Sequence, residues 1–406
     1  MRPKRVILHV GTPKTGTSYL QDVLHRNKKD LAAEGVLYPV DRFDGHFLAA
    51  LDLMRLPWGG LEAEAVGAWD RLAEQVNAWD GTSIISHEIL ATASREQVRR
   101  ALDSLNHPDT EIHVVLSARD LVRQIPAEWQ ENIKHRRTLG YGRFLKQIRD
   151  PQRKSRISSW FWGVQEIPDI LDRWGSELDP SRVHVVTVPK PGAPKTQLWD
   201  RFADTFGLTD IDLDRHAERA NPSMGVPETA LVRRINKIAN TSVEPAFYRP
   251  LVRELLVHRT LSQRSGSSRL FLPTDEWEWA NDLSHAWVEE MERRGYDIVG
   301  DLADLIPDPA PEVFANPDRP RERKVNAAAL DVIRVLLEEN VRMQHVEDDL
   351  RRERDEARGA LEASYLRPTY RIRKKVVHTA EDRFWGRGAI KVYRRALGLD
   401  RNSRSA

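Results

Sequence analysis

Residues 6–21 read VILHVGTPKTGTSYLQ, and this stretch constrains the fold more than any other. An apolar, β-branched run passes directly into a turn holding Gly11 and Gly16, and the turn passes directly into a helical pattern. A loop between a strand and a helix presents unpaired backbone N–H groups in front of the positive end of the helix. Such a loop suits an anion. Thr15, Thr17 and Ser18 add hydroxyls, and Lys14 adds a full charge. The Gly-x4-Gly spacing resembles a nucleotide P-loop, in which a Lys-Ser/Thr pair follows the second glycine. Here Thr17-Ser18 follows it and the lysine precedes it, which weakens the logic of holding Mg²⁺.

Other apolar runs recur along the chain at 82–88 (TSIISHE), 111–119 (EIHVVLSAR) and 182–189 (RVHVVTVP), with a weaker one at 35–39 (GVLYP). Helical patterns at 16–34, 69–79, 96–105 and 121–136 separate them. Apolar strands alternating with helices predict an α/β fold, a doubly wound parallel sheet covered on both faces. Ligands bind beyond the carboxyl ends of such strands. That rule places residues 11–17, His87–Glu88 and 117–119 along one edge. The Trp-rich region 227–305 reads as helical and as part of the same domain, 1–305. The Pro-rich segment 306–324 reads as an extended linker.

A helix is expected over 325–364. Ala329, Leu336, Met343, Leu350 and Ala357 recur every seven residues, but Glu339 and Glu353 interrupt the second seam. This is a weak coiled coil, with a homodimer through 325–364 as its expected use. The net charge of +2 hides an asymmetry. Residues 365–406 hold 12 Lys+Arg and 3 Asp+Glu, leaving the rest of the chain acidic. Basicity confined to a tail does not favour nucleic-acid binding by the folded body. Its mixture with aromatic residues predicts peripheral contact with an anionic membrane. The chain has no cysteine, so thiolate chemistry and disulfides are excluded. No apolar run reaches the roughly 20 residues of a membrane span, and the run at 6–10 is short for a secretory signal. A cytoplasmic location, at most peripheral to the membrane's inner face, is expected.

At Pro13-Lys14-Thr15-Gly16-Thr17-Ser18-Tyr19-Leu20 the chain resembles the sulfotransferases that use PAPS (3′-phosphoadenosine 5′-phosphosulfate). Their phosphosulfate loop reads Pro-Lys-[Ser/Thr/Ala]-Gly-Thr-[Thr/Ser]-x-Leu after the first strand. The resemblance implies that Lys14 contacts the bridging oxygen of the phosphosulfate. It implies that the backbone of Thr15, Gly16, Thr17 and Ser18, with the Thr17 and Ser18 hydroxyls, holds the 5′-phosphate. It also implies PAPS as co-substrate, no metal requirement, and a carbohydrate, lipid or secondary-metabolite acceptor.

The family's second signature, for the 3′-phosphate, is a strand-end Arg with Ser eight residues on. Arg119 supplies the first; the eighth residue is Ala127, so Arg123 or Gln124 is expected to replace the hydroxyl. Arg219, Asn221 and Ser223, in ERANPSMG, are expected to close over the same phosphate. Transfer to a hydroxyl needs a base. Glu88 is the first candidate, with its pKa raised by burial, and His87 the second, the two pointing to opposite faces of a strand. His46 is expected to contact substrate, and Trp129 either to line the acceptor pocket or to sit in the core. A Mg²⁺-dependent P-loop kinase or NTPase, and a non-catalytic scaffold that keeps the fold, are the alternatives.

Overall fold

The computed structural model describes residues 4–216 and 223–366. Five of its strands fall on the five apolar runs: β1 Arg5–His9, β2 Val36–Leu37, β3 Thr82–Ser86, β4 Glu111–Ala118 and β5 Val183–Thr187. A sixth, β6 Asp297–Val299, lies inside the region expected to be helical throughout. The six form one sheet in the order β2-β3-β1-β4-β5-β6, and every pairing is parallel.

Side-chain alternation on the strands builds two cores. Val6, Leu8, Ile112, Val114 and Val185 point into the larger one, which the helices Gly45–Met54, Leu121–Lys134 and Ile167–Gly175 cover. Ile7, Ile84, Val115 and Val186 point to the opposite face. There the helix Thr17–Arg26 contributes Leu20, Val23 and Leu24, and the helix Gln197–Phe206 contributes Trp199, Phe202 and Phe206. A strand buried on both faces has no polar side to alternate with, so its sequence is a continuous apolar run. The helix expected over 16–34 is interrupted at Asn27, giving Thr17–Arg26 and Lys28–Ala33.

The edge strand β6 is only three residues long, and it is fastened by side chains as well as by the ladder. Asp297 Oδ2 lies 2.6 Å from His184 Nδ1, His184 Nε2 lies 2.7 Å from His113 Nδ1, and His113 Nε2 lies 2.8 Å from Glu111 Oε1. This chain of polar contacts crosses from β6 over β5 to β4.

The chain divides into two compact units, Met1–Val332 and Ile333–Ala406. Residues 306–324, expected as an extended linker, belong to the first unit. Asp318 accepts from the backbone N–H of Tyr141 at 3.1 Å and of Gly142 at 2.9 Å, and pairs with Arg233 at 2.6 Å. The long helix, Glu322–Leu366, is present, with Val325, Ala328 and Val332 buried in the first unit. In the second unit Leu336, Met343, Val346 and Leu350 are exposed. The basic tail reading falls almost wholly on residues 367–406, outside the described residues. Among the described residues no helix is long and apolar enough to cross a membrane.

Candidate active site at the carboxyl edge of the sheet

The connection leaving β1 runs toward β2, and the one leaving β4 runs to β5 on the other side. Their carboxyl ends therefore flank the switch point of the sheet, where a crevice opens. The loop Gly11–Gly16 and Arg119 both sit there. The β1–β4 pairing extends into the loop: Thr12 N–H donates to Ser117 O at 2.9 Å, and Ser117 Oγ–H donates to Gly11 O at 3.0 Å. Beneath it, buried His9 bonds Ser86 Oγ at 2.8 Å and Ser117 Oγ at 3.2 Å through its two ring nitrogens. Burial lowers the His9 pKa to about 4, so the ring is a neutral spacer between β3 and β4.

The loop closes on residues of unusual backbone geometry. Lys14 has φ 67° and Gly16 has φ 94°, both in the left-handed region. A Cβ on Gly16 would come within 2.7 Å of Leu198 Cδ2, so the glycine answers two demands at once. Thr17 and Ser18 open the helix, where first-turn amides have no partner within it. Among the described residues the amides of Thr15, Gly16, Thr17 and Ser18 donate to no protein acceptor. The Thr15 hydroxyl is engaged by Thr12 O and Ser117 Oγ, so Thr15 can offer a ligand only its amide.

Opposite the loop stands the helix Leu121–Lys134. Leu121, Ile125, Trp129 and Ile133 face the core, and Gln124, Glu128 and Glu131 recur at helical spacing on another side. Gln124 Nε2 donates to Pro13 O, and Glu131 pairs with the ammonium of Lys14. Glu131 also receives Arg253 at 3.2 Å and His135 at 3.1 Å, with Lys134 at 3.9 Å. Burial alone would raise the Glu131 pKa, but Lys14 and the other cations outweigh it and hold it well below the usual carboxylate range. Arg253 comes from a π-helical stretch, Arg249–His258, a form that often marks functional segments.

Glu128 behaves in the opposite way. It is 4% exposed, and its Oε2 has no hydrogen-bond partner among the described residues. Burial, with repulsion from Glu131, raises its pKa to about 7 even though Lys14, and more weakly Trp160 and Gln165, favour the ionised form. The sequence reading missed Glu128, Glu131 and Arg253. The one signal for the first two was the spacing Gln124–Glu128–Glu131, which a solvated helix face would share.

His87 and Glu88 reach the same edge, but not as alternating strand residues. The strand ends at Ser86 and Glu88–Thr92 forms a 3₁₀ turn, with His87 Nδ1 accepting from Ile89 N–H at 3.2 Å. Both side chains consequently lie together, His87 Nδ1 4.0 Å from Glu88 Oε2, instead of on opposite faces. The expected rise in the Glu88 pKa is also overturned. Burial acts to raise it, but His87, a turn amide, the Gln21 side chain at 3.0 Å and Lys14 lower it on balance. Burial lowers the His87 pKa against the pull of Glu88.

Of the other expected site residues, Arg119 is at the site: its Nη1 donates to Lys14 O at 3.3 Å, and its buried Nε has no partner among the described residues. Burial, with repulsion from Arg123, lowers its pKa to about 10. Arg123 is tied to Asp120 and donates to Pro189 O at 3.1 Å, leaving Nη2 unpartnered among the described residues. His46 is 3% exposed; its Nδ1 accepts from Ser86 N–H at 3.3 Å and its Nε2 has no partner among the described residues. Trp129 is not at the site. It is fully buried in the core beside Tyr141, ring centroids 4.9 Å apart, and donates to Leu139 O at 3.0 Å. Ser223 is exposed, next to Met224, whose N–H and C=O are clamped by the Gln130 side chain at 3.0 and 2.9 Å. Arg219 and Asn221 lie outside the described residues.

The edge thus combines free amides, Lys14 and Arg119 for an anion with two carboxyl groups of opposite titration, Glu88 and Glu128. No family model matches the chain, and neither a curated protein nor a solved structure matches it.

Proposed function

We propose that the chain is a sulfotransferase that moves the sulfuryl group of PAPS to an acceptor hydroxyl. The observation that carries the reading is the set of amides at Thr15–Ser18 with no protein acceptor, on a loop whose sequence resembles the phosphosulfate loop and whose lysine points to the same edge as Arg119. The strand order, with this loop after β1 in the centre of a parallel sheet, agrees with a P-loop-like domain. In this reading the amides of Thr15–Ser18 and the hydroxyls of Thr17 and Ser18 hold the 5′-phosphate. Arg119 and Arg123, each with an unpartnered buried nitrogen, hold the 3′-phosphate in place of an Arg–Ser pair.

The acceptor oxygen forms a bond to sulfur as the bond from sulfur to the bridging oxygen breaks. The electron pair goes to the 5′-phosphate, and adenosine 3′,5′-bisphosphate leaves. Lys14, turning from Glu131, neutralises the charge developing on that oxygen. The acceptor proton needs a base with a pKa near the working pH. Glu128 has it, whereas Glu88, held low, is suited to orienting the acceptor together with His87.

Calorimetric titration tests the reading. Adenosine 3′,5′-bisphosphate should bind equally with EDTA or Mg²⁺ present, and Lys14→Ala should weaken the protection that PAPS gives against thermal unfolding. Binding of Mg²⁺–ATP alone would select a P-loop kinase or NTPase, and binding of neither nucleotide would select a scaffold.

A further inference from the structure

A row of aromatic rings crosses the same edge. Phe47 lies 5.2 Å from His87 and 5.6 Å from Trp58, and Trp58 lies 5.7 Å from Trp160. Phe47, Trp58 and Trp160 are each only partly buried, although the chain fully buries Trp69, Trp129, Trp174 and Trp199 elsewhere. At one end the row meets His87 and Glu88; at the other, Trp160 stands beside the Glu128 carboxyl. Behind that second end, among the described residues, Gln124 Oε1 and Glu128 Oε2 have no hydrogen-bond partner, and Gln165 Nε2 faces the Glu128 carboxyl without completing a hydrogen bond to it. They are grouped, since Gln124 Nε2 donates to Gln165 Oε1 at 2.9 Å.

We propose that the acceptor is a neutral carbohydrate whose ring lies against Trp58 and Trp160 and whose hydroxyls reach the Gln124–Glu128–Gln165 cluster. The proposal rests on the sulfotransferase reading and names its substrate class. A sugar ring carries an apolar C–H face and a rim of hydroxyls, each both donor and acceptor. Aromatic faces match the first, and an unpartnered amide oxygen, amide nitrogen and carboxyl oxygen match the second. A phenol or long-chain alcohol brings one hydroxyl and would leave the rest of the cluster buried and unsatisfied, at a cost to binding. The carboxylate of Glu88 at the far end disfavours acidic sugars. Phe47, between His87 and Trp58, extends the wall to a second sugar unit.

The test uses the full chain and radiolabelled PAPS. Its acceptors are immobilised neutral glycans of hexose and N-acetylhexosamine units, uronate-containing glycans, simple phenols and long-chain alcohols. Transfer should favour the neutral glycans. Trp58→Ala and Trp160→Ala should each raise KM for the glycan about tenfold or more, with Trp→Phe retaining most of the affinity. Affinity for adenosine 3′,5′-bisphosphate should not change, which also certifies that the variants are folded. Transfer confined to phenols, alcohols or uronates, transfer to nothing in the panel despite bisphosphate binding, or tryptophan variants that leave KM unaltered would each overturn the proposal. Failure to bind the bisphosphate would instead remove the sulfotransferase reading on which it stands.

Discussion

Glu128→Gln should make the protein more stable at high pH and inactive at every pH. The carboxyl titrates near pH 7 in the fold against an ordinary value of 4.5. Between those two values the native state holds a proton that the unfolded chain has released. Stability therefore falls as pH rises through that window, and the loss is complete above pH 7. At ~1.36 kcal/mol for each pH unit of separation, the penalty at pH 8 is about 3 kcal/mol. Its source is burial: the side chain is 4% exposed and Oε2 has no partner. Glutamine keeps the shape and cannot ionise. Urea denaturation at pH 5, 6, 7 and 8 should show the variant gaining on wild type steadily, from near parity at pH 5 to about 3 kcal/mol at pH 8. If Glu128 is the base, sulfuryl transfer should fall by roughly 10²–10⁴-fold, and wild-type kcat/KM should rise with pH through about 7 as the carboxylate forms. A stability difference that stays constant across this range would refute the burial argument. A variant with full activity would refute the assignment as base.

Glu131→Gln should cost about 2–3 kcal/mol at pH 7, somewhat less than a fully buried pair because Lys14 and Glu131 keep 20% and 16% side-chain exposure. Since the Glu131 pKa is depressed, its contribution is present above about pH 4.5 and lost as pH falls through the lower native value, so variant and wild type should converge in acid. In the same variant adenosine 3′,5′-bisphosphate should raise the melting temperature more than in wild type, because Lys14 no longer has to leave a carboxylate; an equal rise would count against this loop as the anion site. Gly16→Ala should destabilise by about 1–2 kcal/mol from its left-handed backbone alone. Adding Leu198→Ala should relieve the 2.7 Å contact without restoring stability fully, and full restoration in denaturant titrations would show that the backbone was not strained.

What could be read ahead of the structure follows from the range over which each feature is determined. The strands β1, β3, β4 and β5 announce themselves because burial on both faces makes each a largely apolar, β-branched run, with only a few small or hydrogen-bonded polar residues in it. The loop after β1 is legible for a related reason: its free donors are the amides of consecutive residues, so eight letters contain nearly all of it. β6 is not legible, since three residues with one acidic member carry no pattern. It is held by the ladder to β5 and by the contact of Asp297 with His184, a residue 113 positions earlier. The proton chemistry is less accessible still. Burial is expected to raise the Glu88 pKa, and the side chain is half-buried, but His87, Gln21 and Lys14 decide the sign. Glu128 looks like one acidic residue among several on a polar helix face. Its pKa rises because the packed fold buries it beside Glu131, and the hydrogen-bonding groups of Trp160 and Gln165, over 30 positions away, offset that only in part. Elements set by local pattern can thus be located from sequence, while the titration of a carboxyl depends on neighbours that only the packed fold identifies. Resemblance at the loop is therefore the basis of the proposed reaction class, and a base for that proposal has to be sought in the packing around Lys14.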